Sequence, residues 1–290
     1  AIYGVRAANG VVLITTKKGS RNQKAKITYD GYVGIQKASN VLELCNSHEY
    51  ATMLLEGNFD SYKTHFIQSI DKYGGSYDDP DFHNWTFGAD NDWYDLLLRT
   101  AAITNHSLNI NGGSEKAVYA VGVSYLYQDG IMDVDNNYKR LNFRGSVDYD
   151  ATNWLKVGFN GVFSNSTQQV PNNQAWQKAF NCPPIVALYD EEYNDKSFPD
   201  KFGSPDAIGY TSTNFLNPIA TAKYFDSSKE NYQVLSNFYA QIDFIPGKLN
   251  FKTNYSYSFL STQGREFTPK YYVSSWQQSS TTQLTKNENK

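Results

Sequence analysis

The chain has 290 residues with a formal net charge of −3 and 19% charged residues, which leaves no basic face for nucleic acid. No run of about 18 apolar residues is present, so a helical membrane protein is excluded. The 23 Tyr, 17 Phe, 5 Trp and 20 Gly favour strands and turns, and a mean hydropathy of −0.58 does not argue against a membrane barrel, whose lipid-facing residues alternate with polar ones.

The chain opens at Ala1 with no initiator Met or signal peptide, and it reads as part of a longer protein. Ala8-Asn9-Gly10 is a turn, followed by the apolar β-branched run Val11-Val12-Leu13-Ile14-Thr15-Thr16, the pattern of a strand buried on both faces. Lys17-Lys18-Gly19 ends it. The partners of such a strand are expected upstream.

From there, period-two alternation predicts strands at 25–36, 105–111, 116–128, 138–150, 154–165, 231–245 and 248–262. In one, Leu155, Val157, Phe159, Gly161 and Phe163 oppose Lys156, Gly158, Asn160 and Val162. In another, Leu141, Phe143, Gly145, Val147 and Tyr149 oppose Asn142, Arg144, Ser146 and Asp148. Each segment is near the length a tilted strand needs to cross a bilayer.

The connections fall into two alternating classes. Gly112-Gly113-Ser114-Glu115, Ala151-Thr152-Asn153 and Pro246-Gly247 are tight, whereas 37–104, 129–137 and 166–230 are mostly long. That asymmetry predicts an all-β, antiparallel transmembrane barrel segment with short periplasmic turns and long outer loops. Tyr149 and Trp154 beside one turn, and Tyr125, Tyr127 and Phe163 at the far strand ends, suit two interfacial girdles.

Asn46-Ser47 opens a predicted helix through Gly57, with Tyr50, Leu54 and Leu55 as its buried stripe, and a second short helix is expected over Trp93 to Arg99. The stretch 166–230 carries six of the nine prolines and reads as an irregular but ordered loop. Cys45 and Cys182 fall in loops on the same side, as a disulfide or as two free thiols.

Catalytic and metal motifs are absent: the four histidines have no ligand spacing, and no nucleophile elbow, phosphate loop or dinucleotide fingerprint occurs. No cofactor is expected. The acidic residues Asp78, Asp79, Asp81, Asp90, Asp92 and Asp95 lack EF-hand order and read as a solvated loop. Trp85, Trp93, Trp176 and Tyr189 are the loop aromatics open to two readings, stacking on a ligand or loop packing.

Two stretches carry a resemblance. Ile2-Tyr3-Gly4, Arg6-Ala7-Ala8-Asn9-Gly10 and Thr15-Thr16-Lys17-Lys18-Gly19 resemble the signature that closes the plug domain in the SusC/RagA family of TonB-linked outer membrane proteins. Asp92-Trp93-Tyr94-Asp95, Arg99-Thr100-Ala101, Asn105-His106 and Gly112-Gly113-Ser114-Glu115-Lys116 are similar to that family's first barrel loop, second strand and first periplasmic turn, and Tyr125-Leu126-Tyr127-Gln128-Asp129-Gly130-Ile131 extends the likeness.

The resemblance implies the end of a plug domain over 1–20 and the N-terminal part of a β-barrel over 21–290. It also implies import of oligosaccharides or peptides across the outer membrane of a Gram-negative cell, with a SusD-like surface lipoprotein and the TonB complex as partners. In that setting Lys18 to Lys24 is the expected hinge from plug to barrel, and Arg144, Asp148, Lys156, Asn160, Lys252 and Asn254 face the lumen. The competing readings are a secreted β-sandwich glycan-binding module or β-rich glycan hydrolase, whose apolar residues would converge on one core, and a barrel serving only as an anchor.

Overall fold

The computed structural model describes residues 19–57, 60–77, 84–190, 197–245 and 247–289. Eight strands form one antiparallel sheet in which each is hydrogen-bonded to its neighbours in chain order: β1 Lys26–Gln36, β2 Ala101–Gly113, β3 Ala117–Asp129, β4 Asn137–Asp150, β5 Leu155–Val170, β6 Asp226–Ile245, β7 Leu249–Thr268 and β8 Gln283–Asn289. Among the described residues β1 pairs only with β2 and β8 only with β7, so the sheet is open at both edges.

The predicted strands are all present, and four extend well beyond their expected bounds. β2 begins at Ala101, β5 runs on to Val170, β6 reaches back to Asp226 and β7 runs on to Thr268. β8, an eighth strand, was not predicted.

Register builds the two faces. Tyr29, Leu108, Val123, Phe143, Phe163, Val234 and Phe259 are successive cross-strand partners, an apolar row spanning seven strands. One residue along, the row is Asp30, Ser107, Ser124, Asn142, Ser164, Gln233 and Leu260, polar until its last member. Side chains alternate between faces with period two, so the first row and the second lie on opposite sides.

The apolar row is not covered by protein: Tyr29 is 62% and Phe143 50% exposed. The buried core lies elsewhere, in the connections at the long-loop end of the sheet. Helices α1 Ser47–Glu56, α2 Lys63–Tyr73, α3 Trp93–Leu97, α4 Gln174–Asn181 and α5 Pro218–Lys223 belong to this cap. Its core joins Leu55, Phe66, Ile70, Trp93, Leu97, Met132, Ile185 and Ile208 from three different connections. A β-sandwich would bury its sheet residues against a second sheet; here the sheet's apolar side chains stay outside the core, contrary to the sandwich reading.

The local signals explain the cap. Asn46 accepts from the Glu49 amide at 2.8 Å while the Glu49 carboxylate accepts from the Asn46 amide at 3.0 Å, a complete capping box. The helix buries Ser47, Ala51 and Leu55, with Tyr50 and Leu54 partly buried beside them. α3 stops at Leu97 because Leu98 is extended and bridges Met132. The stretch read as irregular contains α4 and α5, and its outer parts are strand. Cys45 is exposed and Cys182 buried, and both are free thiols.

Candidate functional site

The polar face of the sheet and the cavity where it meets the cap form the candidate site. The six residues expected on that face share it by register, and four of them are fixed by contacts. Arg144 donates to Asn109 at 2.6 Å and lies over Gly122, where a Cβ would sit 2.8 Å from the Arg144 Nε. Tyr239 donates to the Asp148 carboxylate at 2.8 Å, and the Lys252 ammonium stands 4.4 Å from the Tyr239 ring centre. Lys156 pairs with Asp243 at 3.3 Å. The face is therefore a polar wall that carries both signs of charge, held by contacts among its own side chains.

At the cap end, a cavity of about 610 Å³ is lined by Gln36, Gln128, Asn136, Gln168, Gln169 and Trp176 among others. The Gln128 Nε2 donates to the Gln36 side-chain Oε1 at 3.0 Å, and the Gln36 Nε2 donates to the Asp129 backbone carbonyl. Carboxamides both donate and accept, so the lining suits hydroxyl- or amide-bearing molecules. Nothing in the sequence pattern marks this cluster, because its glutamines lie near the ends of three separate strands, β1, β3 and β5, which only pairing brings together.

The four loop aromatics divide. Trp93 is fully buried and its indole N–H donates to the Pro183 carbonyl at 3.1 Å; Trp85 is 4% exposed in the same core. Both rings are occupied by protein contacts. Trp176 is half-buried and borders the cavity, and Tyr189 is 56% exposed, stacked on Phe202 with ring centres 5.3 Å apart. Asp90 accepts from the Ser47 amide at 2.7 Å, and Asp92 caps α3 by accepting from Tyr94 and Asp95.

Burial shapes the cap's titration. The Tyr50 hydroxyl, 3.2 Å from that of Tyr210, is pushed up to about 12 by desolvation, the Tyr210 phenol is raised by the same cause, and burial pushes up the Cys182 thiol. Loops are tied by amides: buried Asn217 donates to the Gly203 carbonyl, and Gln277 donates to the Asn217 carbonyl, both at 2.9 Å.

Tyr3, Gly4, Arg6, Asn9, Gly10, Thr15, Thr16 and Lys17 lie outside the described residues. Gly19 and the residues after it are described, and they rest on the short-turn end of the sheet. Arg21 forms an ion pair with Asp150 and donates to the Glu115 carbonyl at 2.9 Å; Asn22 donates to the Ser114 carbonyl at 3.2 Å, and the Gly113 amide donates to Gln23 at 3.0 Å.

No protein-family model matches the chain. TonB-dependent receptor P3 of Formosa agariphila is 29% identical over 281 residues, covering 93% of this chain and 24% of its own length. TonB-dependent receptor SusC of Bacteroides thetaiotaomicron is 30% identical over 196 residues, covering 66% of this chain and 17% of its own. The chain thus spans about a quarter or less of the curated relatives it matches. Among solved structures, the RagAB peptide transporter superposes with a TM-score of 0.69 at 24% identity, over 93% of this chain and 32% of that one. The closed-closed state of the RagAB peptide importer gives 0.68 at 23% identity. At these identities the structures speak to the fold: a stretch of the same large antiparallel barrel sheet.

Proposed function

We propose that this chain, which is a SusC/RagA-like stretch of a TonB-dependent receptor, supplies part of the wall and outer cap of a nutrient importer in the outer membrane of a Gram-negative cell. The cargo is an oligosaccharide or a peptide, a SusD-like surface lipoprotein closes over the cap, and the TonB complex supplies the energy. In this reading residues 1–20 end the plug and 21–290 begin the barrel.

One observation carries the membrane assignment: a cross-strand apolar row from Tyr29 to Phe259 lies exposed on one face of a sheet, while among the described residues the large core lies in the loops. Only a nonpolar medium makes such a face stable, and exposed patches of this extent mark an interaction with protein or membrane. A closed barrel satisfies every backbone group within lipid, and the strict alternation of short turns and long loops gives it sides.

Transport of this kind needs no bond chemistry from the chain. Its residues bind and orient: the carboxamide cluster at Gln36, Gln128 and Gln168 meets cargo at the outer end of the lumen, with Trp176 at its border and Tyr189 further out on the cap. The wall of Arg144, Asp148, Lys156, Asp243 and Lys252 carries both signs of charge and keeps the lumen wet. The test is to express the complete receptor, fractionate the cell and examine the outer membrane for a band whose mobility changes on heating. Recovery of folded protein from the soluble periplasm overturns the proposal.

A further inference from the structure

We infer that Gly19 to Gln23 form a fixed anchor on the sheet, so that no hinge lies within those residues. The inference rests on the transport reading for its consequence, though not for its geometry, and it replaces the expectation of a hinge at Lys18 to Lys24.

The geometry is a crossing of two backbones at glycines. A Cβ on Gly19 would lie 2.8 Å from the Tyr119 carbonyl oxygen, 2.9 Å from the Gly112 nitrogen and nearer still to the Gly112 carbonyl oxygen. All three are main-chain atoms of paired strands, which cannot yield as a side chain can. On the other side, a Cβ on Gly113 would come 2.9 Å from the Ala117 carbonyl and closer to that of Ser20, and one on Gly112 would come 3.1 Å from the Ala25 Cα. The two segments approach as they do because each lacks a side chain where they touch.

Hydrogen bonds then fix the register of the crossing. Asn22 donates to Ser114, Gly113 donates to Gln23, and the Ser20 amide donates to the Gln23 side chain at 3.0 Å. Asn22 takes a left-handed conformation, φ 53°, which turns the chain into β1. Arg21 spans two turns at once, pairing with Asp150 at the end of β4 and with the Glu115 carbonyl between β2 and β3. A planar guanidinium with several donors is suited to such a bridge, whereas a lysine ammonium offers a single centre. A pull along the chain therefore meets a segment joined to β2 directly and to β4 through Arg21, so load passes into several strands.

The experiment uses the complete receptor in a Cys45→Ser background with Gln23→Cys and Ser114→Cys, joined by a short reducible thiol cross-linker. The expected result is uptake within about twofold of the uncross-linked protein. Loss of uptake that reduction restores overturns the anchor, since the segment would then have to leave the turn during transport. Hydrogen exchange on the same receptor tests the geometry without transport. The Asn22 and Gly113 amides are expected to be protected like those of neighbouring strands, and Gly19→Ala to abolish protection of Gly113 while Gly145→Ala, whose Cβ meets open space, does not. Free exchange at Gly113 in the unmodified receptor overturns the anchor. An uncross-linked receptor that carries no cargo, yet keeps Gly113 protected, overturns the transport reading and leaves the anchor upheld.

Discussion

Trp93→Ala separates the two uses an indole in this loop could have. The ring is fully buried among residues of α1, α2 and α4, and its N–H is bonded to the Pro183 carbonyl. Removing a buried Trp costs about 3–5 kcal/mol, and stranding a buried carbonyl costs a further ~1–3 kcal/mol. Because each 1.4 kcal/mol is tenfold, even about 3 kcal/mol raises the opened population of the cap more than about a hundredfold. The strands, which contribute little to that core, stay folded. Limited proteolysis of the receptor in detergent reads this population when opening is fast: cleavage should concentrate in 37–100 and 171–225 while the sheet survives. Trp93→Phe keeps a six-membered ring but loses the N–H and the rest of the pyrrole ring, so its cleavage should rise by about tenfold or more, though less than for Trp93→Ala. A Trp93→Ala receptor cleaved at the unmodified rate, or a Trp93→Phe receptor that loses cargo binding with unchanged cleavage, refutes the core assignment.

Asn217→Ala removes the cap of α5, where the side chain accepts from Ile219 and Ala220, and also strands the Gly203 carbonyl; a loss of about 2–4 kcal/mol is expected in cap opening, and no change in proteolysis counts against the amide network. For pH, the Tyr50 and Tyr210 phenols are raised by burial, so the folded cap holds protons that the unfolded chain releases. Cap stability is then full below about pH 10 and falls as pH rises through about 12 for Tyr50; ultraviolet difference titration of Tyr50→Phe against the parent should show the missing phenol ionising late, and an ordinary titration midpoint contradicts the burial. Phe143→Arg puts a charge in the middle of the apolar row at a cost of about 2–4 kcal/mol and should lower the heat-modifiable fraction, whereas Asn142→Arg, on the opposite face, should assemble normally.

The sheet was legible because each strand crosses one apolar band. Phe143, Phe163 and Val234 recur at alternate positions, and the alternation stops where the band stops. Beyond it, Ser227 to Glu230 and Thr262 to Arg265 are paired strand residues with no apolar partner row, so β6 and β7 run past their legible ends. β8 was illegible for the same reason: QLTKNEN carries only Leu284 as an apolar residue, and its strand geometry comes from pairing with β7. α5 was missed although Asn217-Pro218 is a helix-start signal, an N-cap followed by proline at the first turn. Among the aromatics, Trp93 follows its own capping Asp92 and shares a helical face with Leu97, which marks it as core, while Trp176 has no such companion pattern. The Arg21 anchor was invisible because its Glu115 contact lies 94 positions away.

The central claim is that one face of this sheet meets lipid and the other meets water. Single cysteines at Leu108, Val123, Phe143, Phe163 and Val234, and at their opposite-facing neighbours Asn109, Ser124, Asn142, Ser164 and Gln233, would be placed in a Cys45→Ser receptor reconstituted in vesicles. Each would carry a small fluorophore and be exposed to lipids with quenchers in their acyl chains and to a water-soluble quencher. The account predicts quenching by lipid for the first set and by the aqueous quencher for the second, alternating residue by residue. Equal quenching of both sets, or lipid quenching of the Asn142 set, would contradict it.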